Sequence, residues 1–381
     1  MKKTLLATSA LIGASVLAAG AANAGEAPVV SFSGALSYEY IFDDNDVRAA
    51  NGSDGHVITA NEQQSELVWD ARGTADNGLE YGANIQWRAM GVGAAAGAFD
   101  EAYLDFRGSW GRLFIGAEDG VDGLIIPDAN GIQVGTWGTD GNGAIRADNS
   151  ISTVGATTSL AYYHDPIHYS GDSNKIGYLT PSFSGFQAGV SFAPDPGDTA
   201  RSNFADGGNA ATHGLNNVEL AAAYNGDFSG VGVSLGGSYG FADGNQGGTQ
   251  SSAAGVEDVS SWRVGASISV AGFSFAADYL DNGDSLCSSA VGSQCDAGDG
   301  WAVGAAYSFG PGAISASWQT SEETNTAGAN IEVDVFHAGL NYQVAEGLSA
   351  RINGYRFSSE STAVANDPDS TVVIVGTRVT F

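Results

Sequence analysis

Apolar and polar residues alternate along most of this chain. In LEYGANIQWRAM, Leu79, Tyr81, Ala83, Ile85 and Trp87 fall on one side and Glu80, Gly82, Asn84, Gln86 and Arg88 on the other. SSWRVGASISV repeats the pattern, with Trp262, Val264, Ala266, Ile268 and Val270 opposing Arg263, Gly265, Ser267 and Ser269. A period of two predicts β-strands with two unlike faces. The final stretch, STVVIVGTRVTF, alternates up to Phe381, so that strand needs a sheet to complete.

The joints between these strands come in two kinds. Short ones carry turn residues: Ala75–Gly78, Ser109–Gly111, Ser182–Gly185, Asp227–Gly230, Ala271-Gly272, Pro311-Gly312 and Ala345–Gly347. Between them lie longer polar joints at 43–61, 91–97, 119–172, 194–216, 243–257, 283–299, 323–330 and 360–369. Seven short and eight long joints alternate strictly and connect sixteen strands. The expected fold is all-β, a 16-stranded antiparallel transmembrane β-barrel with short periplasmic turns and long external loops.

The faces agree with this architecture. Polar sides carry small and charged residues suited to a water-filled lumen, and aromatics such as Tyr38, Tyr40 and Phe42 gather near strand ends. A barrel has no free edge, so the last strand must close on the first, with Phe381 outward at the periplasmic rim. One strand strains the pattern. In IEVDVFHAGLNYQV, strict parity puts Glu332 and Asp334 on the lipid side with Phe336. Either a bulge resets the register or that end stands above the membrane.

Composition narrows the setting. Residues 1–24, MKKTLLATSALIGASVLAAGAANA, read as a secretory signal with an A-x-A cleavage site, leaving 25–381 as the barrel. Without Lys2 and Lys3, 12 basic residues stand against 43 acidic ones, a formal charge of −31. That excess argues against nucleic acid. Glycine, at 55 residues, is about twice its usual share of ~7%, as turns and curved sheets favour. Cys287 and Cys295 share one polar segment of an exported chain, which points to a structural disulfide, intermolecular pairing being the alternative.

The chain resembles the general porins of Gram-negative bacteria, of the alphaproteobacterial type, over essentially its whole mature length. The most specific pieces are the ending VGTRVTF and KIGYLTPSFSGFQAGVSF at 175–192, which looks like the hairpin after the long third loop. The resemblance implies a general diffusion channel for small hydrophilic solutes and ions in the outer membrane. It also implies homotrimers, contact with outer-membrane lipid and lipopolysaccharide, and a C-terminal Phe381 read by the barrel-assembly machinery. In that family the third loop, here 119–172, folds into the lumen and narrows it. Leu124, Ile125 and Ile126 suit packing on the inner wall before a turn at Pro127-Asp128; a large external loop is the other reading.

A charged pore selects by sign and size. The loop's carboxylates Asp119, Asp122, Asp128 and Asp140 are candidates for the negative side of a constriction. By parity, Arg72, Arg88, Arg107, Lys175 and Arg378 are the facing basic residues, Arg88 and Lys175 nearest mid-height. The acidic total predicts a weak preference for cations. No cofactor is required, although FDDND at 42–46 and DNGD at 281–284 offer oxygen ligands that suit calcium.

Other chemistry is less consistent with the sequence. GGSYG fits G-x-S-x-G around Ser238, but it lies within a strand where the hydrolase motif needs a strand-to-helix elbow. HDPIH places His164 and His168 four apart, with Pro166 breaking the helix that zinc ligation would need. An enzyme is not expected. A substrate-specific channel would want aromatics along the lumen, and a secreted acidic adhesin or surface-layer protein would leave the joint alternation unexplained.

Overall fold

Alternation of this kind folds stably only if one face meets water and the other something apolar. In the computed structural model the strands satisfy this by closing into a barrel. The structure describes residues 26–45, 55–60, 65–88, 99–135, 164–196, 214–244, 256–287, 294–325, 328–362 and 369–381. Strand β1 spans Glu26–Asn45, and β2 runs as two segments, Gly55–Ala60 and Glu66–Thr74. Next come β3 Glu80–Arg88, β4 Phe99–Gly108, β5 Gly111–Ala117, β6 Asn174–Leu179 and β7 Phe186–Ala193. They are followed by β8 Leu215–Phe228, β9 Val231–Asp243, β10 Val259–Val270, β11 Phe273–Asp281 and β12 Asp296–Phe309. The last four are β13 Gly312–Thr324, β14 Asn330–Ala345, β15 Leu348–Ser361 and β16 Asp369–Thr380.

Each strand pairs antiparallel with its neighbours in sequence, and β16 returns to β1 from Ala35↔Thr380 to Asn45↔Ser370. At the rim, Gly34 and Phe381 exchange both backbone hydrogen bonds at 2.9 Å. The seven short joints are the tight turns of one rim. Two of them, Ser229-Gly230 and Ala271-Gly272, hold both residues at positive φ (56° and 88°, 49° and 86°), the type I′ geometry that matches strand twist. One joint differs from its sequence reading. The stretch 43–61 ends in strand, because β1 continues to Asn45 and its upper half pairs with Gly55–Ala60.

Burial is inverted relative to a water-soluble protein. Leu220, Leu235, Val264, Ile352 and Val375 are 44–50% exposed on the outside, whereas Glu219, Arg263 and Asp122 are at most 2% exposed within. An outward apolar belt around a polar interior is the signature of a barrel in lipid. The β14 question is also settled. Pairing with β13 and β15 runs unshifted from Ile331 to Gln343's neighbour Tyr342, with no bulge, so Glu332 and Asp334 stay outward. They lie at the loop end, beside outward Glu322 and Glu360, beyond the apolar belt.

Leu220 sits outward at mid-strand in β8, so Leu220→Arg should destabilise the barrel by about 2–4 kcal/mol, the range for a charge near the bilayer midplane. Equilibrium refolding from urea into lipid vesicles measures it.

Candidate functional site

The third loop leaves β5 at Ala117 and returns at Asn174, and two charged side chains tie its legs together. Lys175 donates from Nζ to the carbonyls of Glu118, Gly171 and Ser173, the last at 2.8 Å. Glu219 of β8 accepts from the Asp122 amide at 3.2 Å and the Ser170 amide at 2.8 Å. Between these ties a short helix, α1 (Val121–Ile125), lies on the inner wall. Val121 and Ile126 pack with Leu179 and Ala221, flanked by Leu124 and Ile125.

Beyond α1 the loop follows a track of small inward residues. Cross-strand register aligns Gly236, Gly265 and Asp278 on β9–β11, then Gly304 with Ser317, and Ser315 with Gly339 and Asn353. A Cβ on Gly265 would overlap the Pro127 carbonyl, and one on Gly339 would overlap that of Val134. Hydrogen bonds fix the chain along this track. Ala129 N donates to Asp278 Oδ1 at 2.8 Å, Gln133 Nε2 to Ser317 Oγ at 2.9 Å, and Val134 N to Ser315 Oγ at 2.8 Å. The Gly135 carbonyl accepts from Asn353 Nδ2 at 2.8 Å and from Arg351. The described loop thus crosses the inner wall from β8 to β15.

Arg263 of β10 is the main electrostatic anchor. Its Nη2 lies 2.6 Å from Asp122 Oδ2, and both side chains are buried. Burial by itself would raise the Asp122 carboxyl; Arg263, then His168 and Ser238, outweigh it and hold it at about 2. On the return leg, His164 Nε2 meets Asp278 Oδ2 at 2.8 Å, and Ile167 N donates to Asn282 Oδ1 at 2.8 Å. Ser238, His168 and Asp122 do come together, but not as a relay. The Ser238 hydroxyl donates to Asp122 directly, and His168 turns the same nitrogen, Nε2, to Ser238 Oγ at 3.3 Å and Asp122 Oδ1 at 3.8 Å while Nδ1 faces Ser261 Oγ at 2.6 Å, whereas a triad needs the imidazole between the other two, one nitrogen for each.

The sequence candidates fall into several places. Asp119 accepts from Tyr169 Oη at 2.5 Å, Asp122 is held by Arg263, and Asp128 accepts from the Gly131 amide at 2.5 Å. Burial raises the Asp128 carboxyl, with Arg263 opposing. Asp140 lies outside the described residues. Arg72, Arg107 and Arg112 converge on the buried Asp105 at 3.0, 2.6 and 3.4 Å, and Arg72 also meets Asp70 at 3.0 Å. Arg88 pairs with Asp100 and with Glu66 at 3.8 Å, and Arg378 lies within reach of the Glu66 charge. Lys175 sits beneath the loop's neck and does not reach across the lumen.

Cys287 and Cys295 are bonded, their Cα atoms 5.5 Å apart. In DNGD, Asp281 accepts from the Gly283 amide at 2.8 Å within its own turn; FDDND is only partly described. Among the described residues no group of three or more His, Cys, Asp or Glu is arranged to hold a metal ion. Arg263, Glu219, Arg112 and the Arg351–Glu39 pair were not singled out from sequence. Arg263 carried a signal: a lone cation on an inward face among Ser and Gly requires a carboxylate partner.

A family model described as Gram-negative porin matches residues 7–362. The chain belongs to that family. Family and fold together place this porin in the outer membrane as a diffusion channel. The fold is shared with an anion-selective porin from Comamonas acidovorans, at 15% identity and a TM-score of 0.62, over 93% of this chain and 100% of that one. A trimer form of the outer-membrane protein OmpT of Vibrio cholerae matches at 14% identity and 0.60, with the same coverage. A mutant of the Rh. blastica porin matches at 20% and 0.55, again over 93% and 100%. No curated protein matches the chain. Porins of this family and fold are typically non-enzymatic channels.

The porin's loop seat makes two predictions. Arg263→Met leaves the buried Asp122 without its guanidinium, a loss of up to about 3–5 kcal/mol, and Gly265→Val removes the seat for Pro127. Single-channel recording of either variant should show larger, noisier currents from barrels that still fold. Asp122, held below its ordinary value, stabilises the seated loop above about pH 4. That contribution is lost as pH falls through about 2, so the Asp122–Arg263 share of loop seating should persist to about pH 4, and the excess current noise of Arg263→Met over the parent should vanish only in stronger acid.

Proposed function

We propose that this porin is a general diffusion pore with a weak preference for cations, working as a homotrimer. The observation that carries the selectivity is the state of its positive charges. Arg72, Arg88, Arg107, Arg112, Arg263 and Arg351 all meet carboxylates, and Lys175 is taken up by backbone carbonyls. Meanwhile Glu118, Asp119, Asp172 and Asp100 gather around Glu101 at the loop's neck. Carboxylates therefore dominate the passage beside the loop's neck, and a low-dielectric wall focuses their field. The Comamonas porin is anion-selective on the same fold, so the sign is decided by side chains and not by the barrel.

The wall heights support assembly. Strands β5, β6 and β7 have 7, 6 and 8 residues, short of the ~9–11 a lipid-exposed strand needs. Strands β12–β16 have 12 to 16. A low wall needs shielding from hydrocarbon, and a second copy of the same low wall provides it. Lipopolysaccharide around the tall wall and the barrel-assembly machinery complete the partners of this reading.

Conductance across a planar bilayer under a salt gradient tests both parts. Ohmic steps closing in threes, with a reversal potential favouring potassium, are expected; a potential favouring chloride would falsify the cation preference. Asp119→Asn with Asp172→Asn should move the reversal potential toward zero.

A further inference from the structure

Strand β1 runs on past the point where the barrel closes. Toward β2 its pairing extends from Gly34↔Leu67 down to Glu26↔Thr74, whereas toward β16 it stops at the Gly34–Phe381 hydrogen-bonded pair. The two sides of β1 therefore differ by eight positions, Glu26 to Gly34. At the other tight-turn ends the difference is four positions or fewer, as from Tyr224 to Phe228 in β8.

Register assigns the unused backbone groups. Gly34 turns its amide and carbonyl toward β16, and in an antiparallel ladder alternate residues face the same side. Phe32 and Val30 therefore aim theirs to that side, where nothing among the described residues pairs with them. Ser33 and Ser31 aim theirs at Val68 and Asp70 of β2. Two amides and two carbonyls thus stand open, at strand spacing, on the line of β16. Residues 27–31 and Ser33 are exposed, and none from Ala27 to Ser33 carries a charge. Sheets protect such edges with charged side chains, prolines or bulges. Here Pro28 and the adjoining register shift do so only at the far end.

Depth separates this edge from hydrocarbon. Outward Phe32 lies 5.4 Å from the Trp69 ring and 6.3 Å from that of Phe381, an aromatic group of the kind that marks a membrane surface. Val30, two positions nearer the turn end, is 63% exposed beyond that group, on the periplasmic side. Lipid has no donors and acceptors alternating at strand spacing; a polypeptide backbone has them. A second copy of the same edge fits poorly, because antiparallel edge-to-edge pairing has two-fold symmetry and cannot close a three-fold ring. That step rests on the homotrimer reading. Side chains set the partner's pattern. Partner residues opposite Phe32 and Val30 share their outward apolar face, and the one between, opposite Ser31, faces the wet mouth of the pore.

We infer that the edge at Val30 and Phe32 docks an extended segment of a periplasmic protein, added antiparallel to β1 in line with β16 and carrying an apolar–polar–apolar pattern. The probe is a capped hexapeptide, acetyl-TFTVTK-amide, added to the folded mature porin in mild detergent, with hydrogen exchange read at single amides. Without peptide, the Val30 and Phe32 amides should exchange faster than those of Ser31 and Ser33. Peptide at ten times its dissociation constant should slow Val30 and Phe32 about tenfold and leave Ser31 and Ser33 unchanged. Val30→Pro removes one open-side donor and keeps every bond to β2. It should conduct as the parent does and lose the peptide's protection of Phe32. Val30→Lys keeps the amide but adds an edge charge, and should weaken peptide binding about tenfold with conductance unchanged. Exchange that peptide leaves unaltered, or protection that survives in both variants, would overturn the site. Protection that appears without peptide and rises with porin concentration would also overturn it, giving the edge to a second copy.

Discussion

In hydrocarbon a backbone amide without a partner costs several kcal/mol, and this constraint decides the fold before any side chain does. Sixteen strands in a row leave two edges, and the paired hydrogen bonds between Gly34 and Phe381 mark where those edges meet. Closure then fixes which way every residue points. With the register set from β1 to β16, outward positions must be apolar and inward ones polar. Charges such as Arg263 and Glu219 thereby come to lie inside a narrow tube where partners are obligatory.

The interior solves a second problem, holding a long loop against a sheet. The seat combines absence and presence. Inward glycines at 236, 265, 304 and 339 let the loop backbone approach the wall, while Asp278, Ser315, Ser317 and Asn353 supply its hydrogen bonds. A buried ion pair adds little net stability over an apolar substitute but is costly to break. The Arg263–Asp122 contact therefore serves position more than stability: it penalises every loop placement in which either charge is left alone.

The barrel was legible in the sequence because its two signals are local. Alternation needs only neighbours, and turn residues such as Asp227–Gly230 declare themselves within four positions. The loop seat was not, because it exists only across strands. Gly265 and Gly339 look like ordinary strand glycines until register aligns them under the same loop. Asp122 and Lys175 illustrate the same limit. Parity and loop membership placed them near the lumen, but which charge each would meet depends on Arg263, 141 positions beyond Asp122, and on the carbonyls of the loop's own legs. Register also resolved Glu332 and Asp334: of the two readings the pattern left open, a bulge or a strand end above the membrane, the unshifted pairing leaves the second.

The same bookkeeping of partners bears on selectivity. A cation in a pore wall repels passing cations only while its charge is unmatched; a carboxylate within 3 Å reduces its far field to that of a dipole. Asp70, Asp105 and Glu118 together do this for Arg72, Arg107 and Arg112, and Asp122 does it for Arg263. The positive residues therefore act mainly on the structure, fixing strand against strand and loop against wall. On the proposed cation preference, passing ions respond chiefly to the carboxylates beside the loop's neck, Asp119 and Asp172 among them. A barrel of the same shape with a few of those pairs rearranged would favour the opposite sign, which is why a shared fold with an anion-selective porin is no obstacle to a cation-preferring one.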